Sequence, residues 1–239
     1  MHIGTHKTGT TSFQKWLATN ESALLARYGL GVYQGVFPNA RELGLACANP
    51  DRSLPVRHLP QWNDPVWRAH VFDLIKLQLA RDVPSMVISA EALSFLRAPE
   101  ELQCVKNLLD GFDITILLTL RNPLEFLGSW QRHLTRGGYE LSDDPSSFAY
   151  IKEDSWLARY DHLIDAYATA FGSDRIITVD YEAANAQFGS VIPALMRHIV
   201  DDIDDLPEWS NVRLNPTARF ERSRPSVVKR VLRRIKPRR

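Results

Sequence analysis

Apolar residues recur along this chain with two alternating periods. The near-continuous apolar run at 113–120 (Asp113, Ile114, Thr115, Ile116, Leu117, Leu118, Thr119, Leu120) is the strongest strand signal and predicts burial on both faces of a parallel sheet. Shorter runs of the same kind cover 84–91 and 175–182, and His2-Ile3 forms a strand remnant ahead of Gly4. Between them the spacing turns helical. Phe13, Trp16, Leu17, Leu24, Leu25 and Tyr28 share one face, and Gly29 can end that helix. Val66, Ala69, Phe72, Leu74, Ile75, Leu77 and Leu79 mark a second helix at 66–80. Leu124, Leu127, Trp130 and Leu134 continue a third from Pro123, and Leu157, Tyr160, Leu163, Ile164 and Tyr167 a fourth at 156–171. Shorter helical pieces are expected at 41–48, 92–96, 100–109 and 188–200. Strands alternating with helices predict an α/β fold, with a central, mostly parallel β-sheet flanked by helices. Residues 30–70, interrupted by five prolines, read as loop-rich cover holding His58, Trp62 and Trp67. Each Trp there fits packing under loops as well as it fits a substrate contact.

Length and composition change this picture little; charge changes it more. The 239 residues, 44% hydrophobic and 24% charged, suit one α/β domain with a large core. The formal net charge is +1, but residues 222–239 carry nine Lys/Arg and no acid, leaving 20 basic and 28 acidic residues before them, a net of −8. The chain therefore divides into an α/β body at 1–221 and a basic tail at 222–239, where Val227, Val228, Val231, Leu232 and Ile235 form a helical apolar stripe. Cys47 and Cys104 lack C-x-x-C spacing, from which neither a zinc site nor a disulfide framework is expected and a reducing cytoplasm is the default setting. No stretch ahead of the first loop reads as a signal peptide, and no apolar run reaches the ~18–20 residues of a membrane span. The first strand is short, with two residues before Gly4 after the initial Met, against the usual ~5–6.

The candidate chemistry begins in residues 4–12. Gly4 and Gly9 punctuate a loop that enters a helix, where free backbone N–H groups and the positive end of the helix dipole make an anion site. Thr5, His6, Lys7, Thr8, Thr10, Thr11 and Ser12 add one full charge and several donors. The loop is P-loop-like without being a Walker A sequence: Thr10, not Lys, follows Gly9, and the Lys stands two residues before it. Arg121 ends the 113–120 strand, and Ser129 lies two turns into the next helix, so a guanidinium fork and a hydroxyl are placed to hold a second phosphate. Glu91 stands at another strand end, where parallel sheets bind ligands; an ordinary exposed acid at a helix start is the plainer reading. Asp180 could mimic a Walker B acid, although a structural role suits it better.

These motifs, in this order, resemble those of the sulfotransferases that use 3′-phosphoadenosine 5′-phosphosulfate (PAPS). The resemblance rests on His6-Lys7-Thr8-Gly9-Thr10-Thr11 and on Arg121-Asn122-Pro123 with Ser129 eight residues after the Arg, with weaker matches at 84–92, 174–182 and 213–217. His6 stands where the commonest family loop has Pro. The resemblance implies a P-loop-like nucleotide-binding fold in which Thr5, His6, Lys7, Thr8, Gly9, Thr10 and Thr11 bind the 5′-phosphosulfate and Arg121 and Ser129 bind the 3′-phosphate. It implies sulfuryl transfer to an acceptor hydroxyl or amine, with Lys7 and Glu91 catalytic and His6 and His133 as further candidates for the base. By the same resemblance the acceptor is a carbohydrate or glycolipid, and the polar segment 140–155 is where acceptor would bind. The residues show no metal-ligand cluster. Two other classes share strand-loop-helix phosphate binding: a small-molecule kinase with an atypical P-loop, which lacks here a convincing Mg²⁺-holding acid, and a non-catalytic nucleotide-binding module.

The tail carries its own expectation. Basic residues beside an apolar stripe suit an anionic membrane surface, each contributing about 1 kcal/mol that salt screens. A solvated tail, or one folded back on Asp201, Asp202, Asp204 and Asp205, competes with this; nucleic acid is disfavoured by the acidic body and the absence of interleaved aromatics. In liposome flotation, the full chain is expected to rise with anionic vesicles at low salt and release at high salt, while a chain ending at Glu221 stays behind. Equal flotation of the two would show that the tail is not the membrane-binding element.

Overall fold

The computed structural model describes residues 1–55 and 64–203. His58, Trp62, Asp204, Asp205, the 213–217 segment and the basic tail lie outside the described residues.

Among the described residues, five parallel strands line up. β1 (His2–Gly4) pairs with β4 (Ile116–Leu120), which pairs with β5 (Ile176–Asp180); β2 (Leu30–Val32) pairs with β3 (Ser85–Val87). The chain beyond β3 runs on beside β1 and joins the two ladders: the His2 amide donates to the Ile88 carbonyl at 2.6 Å, and the Ala90 amide donates to the His2 carbonyl at 3.0 Å. The spatial order is β2-β3-β1-β4-β5. β1 has only three residues, all buried, and the Met1 carbonyl extends its ladder by accepting from the Leu117 amide. β2 went unread in the sequence because a three-residue Leu-Gly-Val run directly after a helix carries too little periodicity.

The helices are α1 (Thr10–Tyr28), α2 (Arg41–Cys47), α3 (Pro65–Leu79), α4 (Pro99–Leu108), α5 (Pro123–Arg136), α6 (Tyr160–Phe171), α7 (Tyr181–Phe188) and α8 (Ile192–Met196). They cover both faces of the sheet. Leu117 of β4 packs with Phe13, Trp16, Leu17 and the α7–α8 residues, whereas its neighbours Ile116 and Leu118 face α2 to α6. That alternation is the two-sided burial expected of β4. Several helix bounds differ from the periodic reading. Gly29 ends α1 in the left-handed region (φ 61°), as expected, but Leu25 is turned outward, as are Val66 and Leu77 of α3. α6 starts at Tyr160 rather than 156, because the residues before it form turns. The expected helix at 188–200 is instead α7 ending at Gly189 (φ 70°) and a separate α8.

The cysteines require a correction. Cys47 at the end of α2 and Cys104 on α4 are joined by a disulfide, with α-carbons 5.4 Å apart and a sequence separation of 57. Sequence spacing carries no information about two cysteines brought together by helices that pack side by side. The same joint is held by Glu101, fully buried, which accepts from Arg52 at 2.5 and 2.7 Å and from the amides of Asn49, Arg97 and Ala98. No helix among the described residues is long and apolar enough to cross a membrane.

One buried polar residue ties the strand ends together. The His2 ring, 1% exposed, hydrogen-bonds Ser89 Oγ through Nδ1 and Thr119 Oγ1 through Nε2, each at 2.9 Å. A neutral imidazole supplies one donor and one acceptor, which matches two hydroxyl partners. Burial, with the chain's amino group adding to it, lowers the ring's pKa from 6.5 to about 3. Below pH 6.5 the unfolded ring gains a proton that the folded one refuses until about pH 3, so this residue's contribution is lost as pH falls through that window. Glu42 and Glu91, whose carboxyl pKa values burial raises, act in the opposite sense. Hence the difference between wild type and His2→Gln isolates the effect: above pH 6.5 the variant should be less stable by about 1–3 kcal/mol, and the gap should narrow on acidification. Urea midpoints across pH measure it; parallel curves would remove His2 from the acid response.

Candidate functional site

The loop from β1 to α1 is shaped by close approach. A Cβ on Gly4 would stand 2.2 Å from Thr10 Oγ1 and 2.9 Å from Thr8 Oγ1, so only glycine lets the loop fold back over the strand. Lys7 (φ 69°) and Gly9 (φ 81°) both take left-handed backbone to make the turn. The Thr8 hydroxyl donates to the Thr5 carbonyl at 2.5 Å, and the Thr5 hydroxyl donates to the Thr119 carbonyl at 3.1 Å. Their hydroxyl hydrogens are therefore spent in holding the loop's shape and its place against β4.

The start of α1 is different. Gly9 caps it without a side chain, the first turn holds no acid, and the first bond closing the helix is from the Phe13 amide to the Gly9 carbonyl. The amides of Thr10, Thr11 and Ser12 thus have no capping side chain, and Thr10 Oγ1 is buried without a hydrogen-bond partner. An orphan buried hydroxyl beside uncapped helix amides and the exposed Lys7 is the donor set that a phosphate or sulfate ester accepts from.

Glu91 begins the short 3-10 turn Glu91–Phe95 where the chain leaves the sheet beside β1. His6 Nε2 lies 4.0 Å from Glu91 Oε1. The His6 ring sits 4.6 Å, centroid to centroid, from both Phe95 and Trp130, and His133 stacks on Trp130 at 5.0 Å. Burial, then the neighbouring Lys7 charge, lowers the His6 pKa to about 3, so this ring is neutral near pH 7. Burial raises the Glu91 pKa, opposed by His133 and Lys7. Burial also lowers the His133 pKa, with Lys7 and His6 adding to it and Glu91 opposing. The structure brings Lys7, His6, Glu91 and His133 into one cluster in which the carboxylate is a better proton acceptor than an exposed glutamate. A floor of aromatic rings carries them. Its indoles also hold the 140–155 segment: Trp130 donates to the Phe148 carbonyl at 2.9 Å and Trp156 to the Ser147 carbonyl at 3.3 Å.

Arg121 stands at the end of β4, and Asn122 caps α5 by accepting from the amides of Leu124 and Glu125. The Arg121 guanidinium lies 3.1 Å from Glu182 and 3.5 Å from Glu125, and over the Tyr181 ring at 5.4 Å. Tyr181 also reaches the first loop, since its Cε2 would lie 3.5 Å from a Cβ on Gly9. Ser129 is on the buried side of α5 with Phe126 and Trp130. Asp180 is a helix cap, accepting from the Ala183 amide at 2.7 Å. Among the described residues no group of three or more His, Cys, Asp or Glu is placed to hold a metal ion. A cavity of about 470 Å³ lies at the opposite, amino end of the sheet, lined by Met1, Met86, Ile114 and Ile199, away from all of these groups.

Sequence reasoning missed Phe95, Trp130, Tyr181, Glu182 and Gln14, whose amide donates to the Ser89 carbonyl at 2.7 Å. The aromatic residues read as core positions on periodicity, and Trp130 is indeed 1% exposed. Glu182 offered one signal: an acid just after a strand end, level with Arg121.

No family model matches the chain, and no curated protein matches it. Among solved structures, it is similar to the crystal structure of a sulfotransferase from Alicyclobacillus acidocaldarius, with a TM-score of 0.56 and 16% identity over 96% of this chain and 87% of that one. At that identity the likeness defines architecture: the chain has the sulfotransferase fold, an α/β fold with a parallel central sheet between helices.

Proposed function

We propose that this protein is a PAPS-dependent sulfotransferase acting on a hydroxyl or amine of a carbohydrate or glycolipid. The observation that carries the reading is the convergence, at the carboxyl ends of β1 and the β3 extension, of Lys7, an uncapped α1 start with the orphan Thr10 hydroxyl, and a half-buried, desolvated Glu91. The likeness of fold to a known sulfotransferase and the sequence spacing of Arg121 and Ser129 support it.

The bound donor would supply an activated sulfuryl group, whose bond to the bridging phosphate oxygen breaks as the acceptor oxygen or nitrogen bonds to sulfur. The protein's part is positioning and charge stabilisation. Lys7 offsets the negative charge that gathers on the departing phosphate oxygen. The amides of Thr8, Gly9, Thr10 and Thr11, with the Thr10 hydroxyl, hold the 5′-phosphate, and Thr5 and Thr8 keep their loop rigid. Glu91 takes the acceptor's proton; its desolvated carboxylate is raised toward the working pH. His6, neutral and 4.0 Å from Glu91, stands beside that carboxylate without bonding it, and His133 extends the same cluster. Arg121 and Ser129 hold the 3′-phosphate.

Adenosine 3′,5′-bisphosphate is expected to raise the melting temperature without Mg²⁺, and 5′-AMP to do much less. Equal shifts would remove the 3′-phosphate assignment, and a strict Mg²⁺ requirement would favour a kinase.

Two substitutions should separate binding from chemistry. Lys7→Ala should weaken both donor affinity and turnover. Glu91→Gln should keep nucleotide affinity and lower turnover by ~10²–10⁴-fold on an acceptor identified with labelled PAPS. Full activity in Glu91→Gln would move the base to His6 or His133, and binding without transfer to any acceptor would favour a non-catalytic module.

A further inference from the structure

Arg121 already holds an anion, and that anion belongs to the protein. Glu182 reaches across from the first turn of α7 and places one carboxylate oxygen 3.1 Å from Arg121 Nε and the other 3.0 Å from the Asn122 amide. Glu125 adds a second carboxylate 3.5 Å from Arg121 Nη2. The remaining amides at the head of α5 are taken: Leu124 and Glu125 by the Asn122 side chain, Phe126 by the Asn122 carbonyl, while Pro123 has none. The guanidinium and the Asn122 amide are thus the donors that the head of α5 leaves for an outside acceptor, and Glu182 bridges both, as one edge of a phosphate would.

From this geometry we infer that Glu182 is an internal placeholder for the donor's 3′-phosphate. It occupies the Arg121 subsite in the free protein and must be displaced when a 3′-phosphorylated nucleotide binds, which makes it a determinant of nucleotide affinity and specificity. The inference rests on the reading of Arg121 as the 3′-phosphate ligand. Glu182 is suited to leave: its side chain is 43% exposed, while that of Arg121 is 19% exposed. An exposed ion pair is weak, whereas a phosphate dianion brings more charge and more acceptor oxygens to the same fork. The placeholder also keeps a bare guanidinium from capturing stray anions, and it holds Arg121 over the Tyr181 ring that leads back to Gly9.

The test is isothermal titration of the full chain with adenosine 3′,5′-bisphosphate, 3′-AMP and 5′-AMP at one fixed salt concentration. Wild type is compared with Glu182→Gln, which keeps an acceptor for the Asn122 amide, and with Glu182→Ala. Both variants should bind the two 3′-phosphorylated nucleotides about two- to fivefold more tightly, the range an exposed ion pair is worth, with 5′-AMP unchanged. In an Arg121→Ala background the Glu182 substitutions should have no effect. Unchanged or weaker binding of the 3′-phosphorylated nucleotides by variants that melt like wild type would overturn the placeholder and leave the Arg121 assignment standing. Equal tightening of 5′-AMP would also overturn it, as a general charge effect. If wild type binds the bisphosphate no better than 5′-AMP, the Arg121 assignment fails and the placeholder falls with it.

Discussion

The buried His2 ring is the constraint on which the rest of the site depends. It bridges Ser89 and Thr119, so it fixes the registers of the β3 extension and β4 against β1 just below the carboxyl ends of the three strands. Two residues beyond those contacts stand Glu91, Arg121 and, on His2's own strand, Gly4. A small displacement of this ring would therefore move the candidate anion loop, the proposed base and the proposed second phosphate ligand relative to one another. Burying a histidine is costly unless both ring nitrogens are satisfied. Here they are, and the arrangement holds only while the ring stays neutral.

Above that tie, opposing electrostatic demands are concentrated in a small volume. Burial lowers the pKa values of His6 and His133, Lys7 adds to both shifts, and His133 and Lys7 restrain the burial-driven rise of Glu91. The result is the Lys7 cation facing one reluctant carboxylate and two rings that resist protonation. The proposed sulfuryl transfer asks for this division: a fixed positive charge where the leaving group gathers negative charge, and a proton acceptor that is not already locked into a strong ion pair. The 4.0 Å separation of His6 and Glu91 leaves the carboxylate near a polar neighbour without that lock.

The periphery explains how a carboxylate is held at a strand end. The 91–95 turn is clamped by α2, where a Cβ on Gly44 would come within 2.5 Å of the Ala92 backbone. α2 is in turn held by Glu42, which accepts from the Tyr33 hydroxyl and the amides of Val36 and Phe37, and by the disulfide and Glu101 joint to α4. Rigid support of this kind lets a functional side chain keep its position without being bonded directly.

Much of this was readable from residue order. The alternation of buried strands and amphipathic helices gave the α/β architecture, because hydrophobic period is a local property of the chain. The glycines at 4 and 9, the Lys and hydroxyls between and after them, and Arg121 at a strand end marked the candidate anion-binding frame for the same reason: each is a residue at the end of a recognisable element. What the sequence could not supply is anything set by contact between distant segments. The three-residue β2, the outward turn of Leu25, the break between α7 and α8, and the Cys47–Cys104 bond were each decided by packing. So were the roles of individual hydroxyls, since Thr5, Thr8 and Thr10 look alike in sequence and only the fold spends two of their hydrogens and leaves the third. The same holds for Glu182, 61 residues from Arg121, whose carboxylate meets the guanidinium only because β4 and β5 lie side by side in parallel.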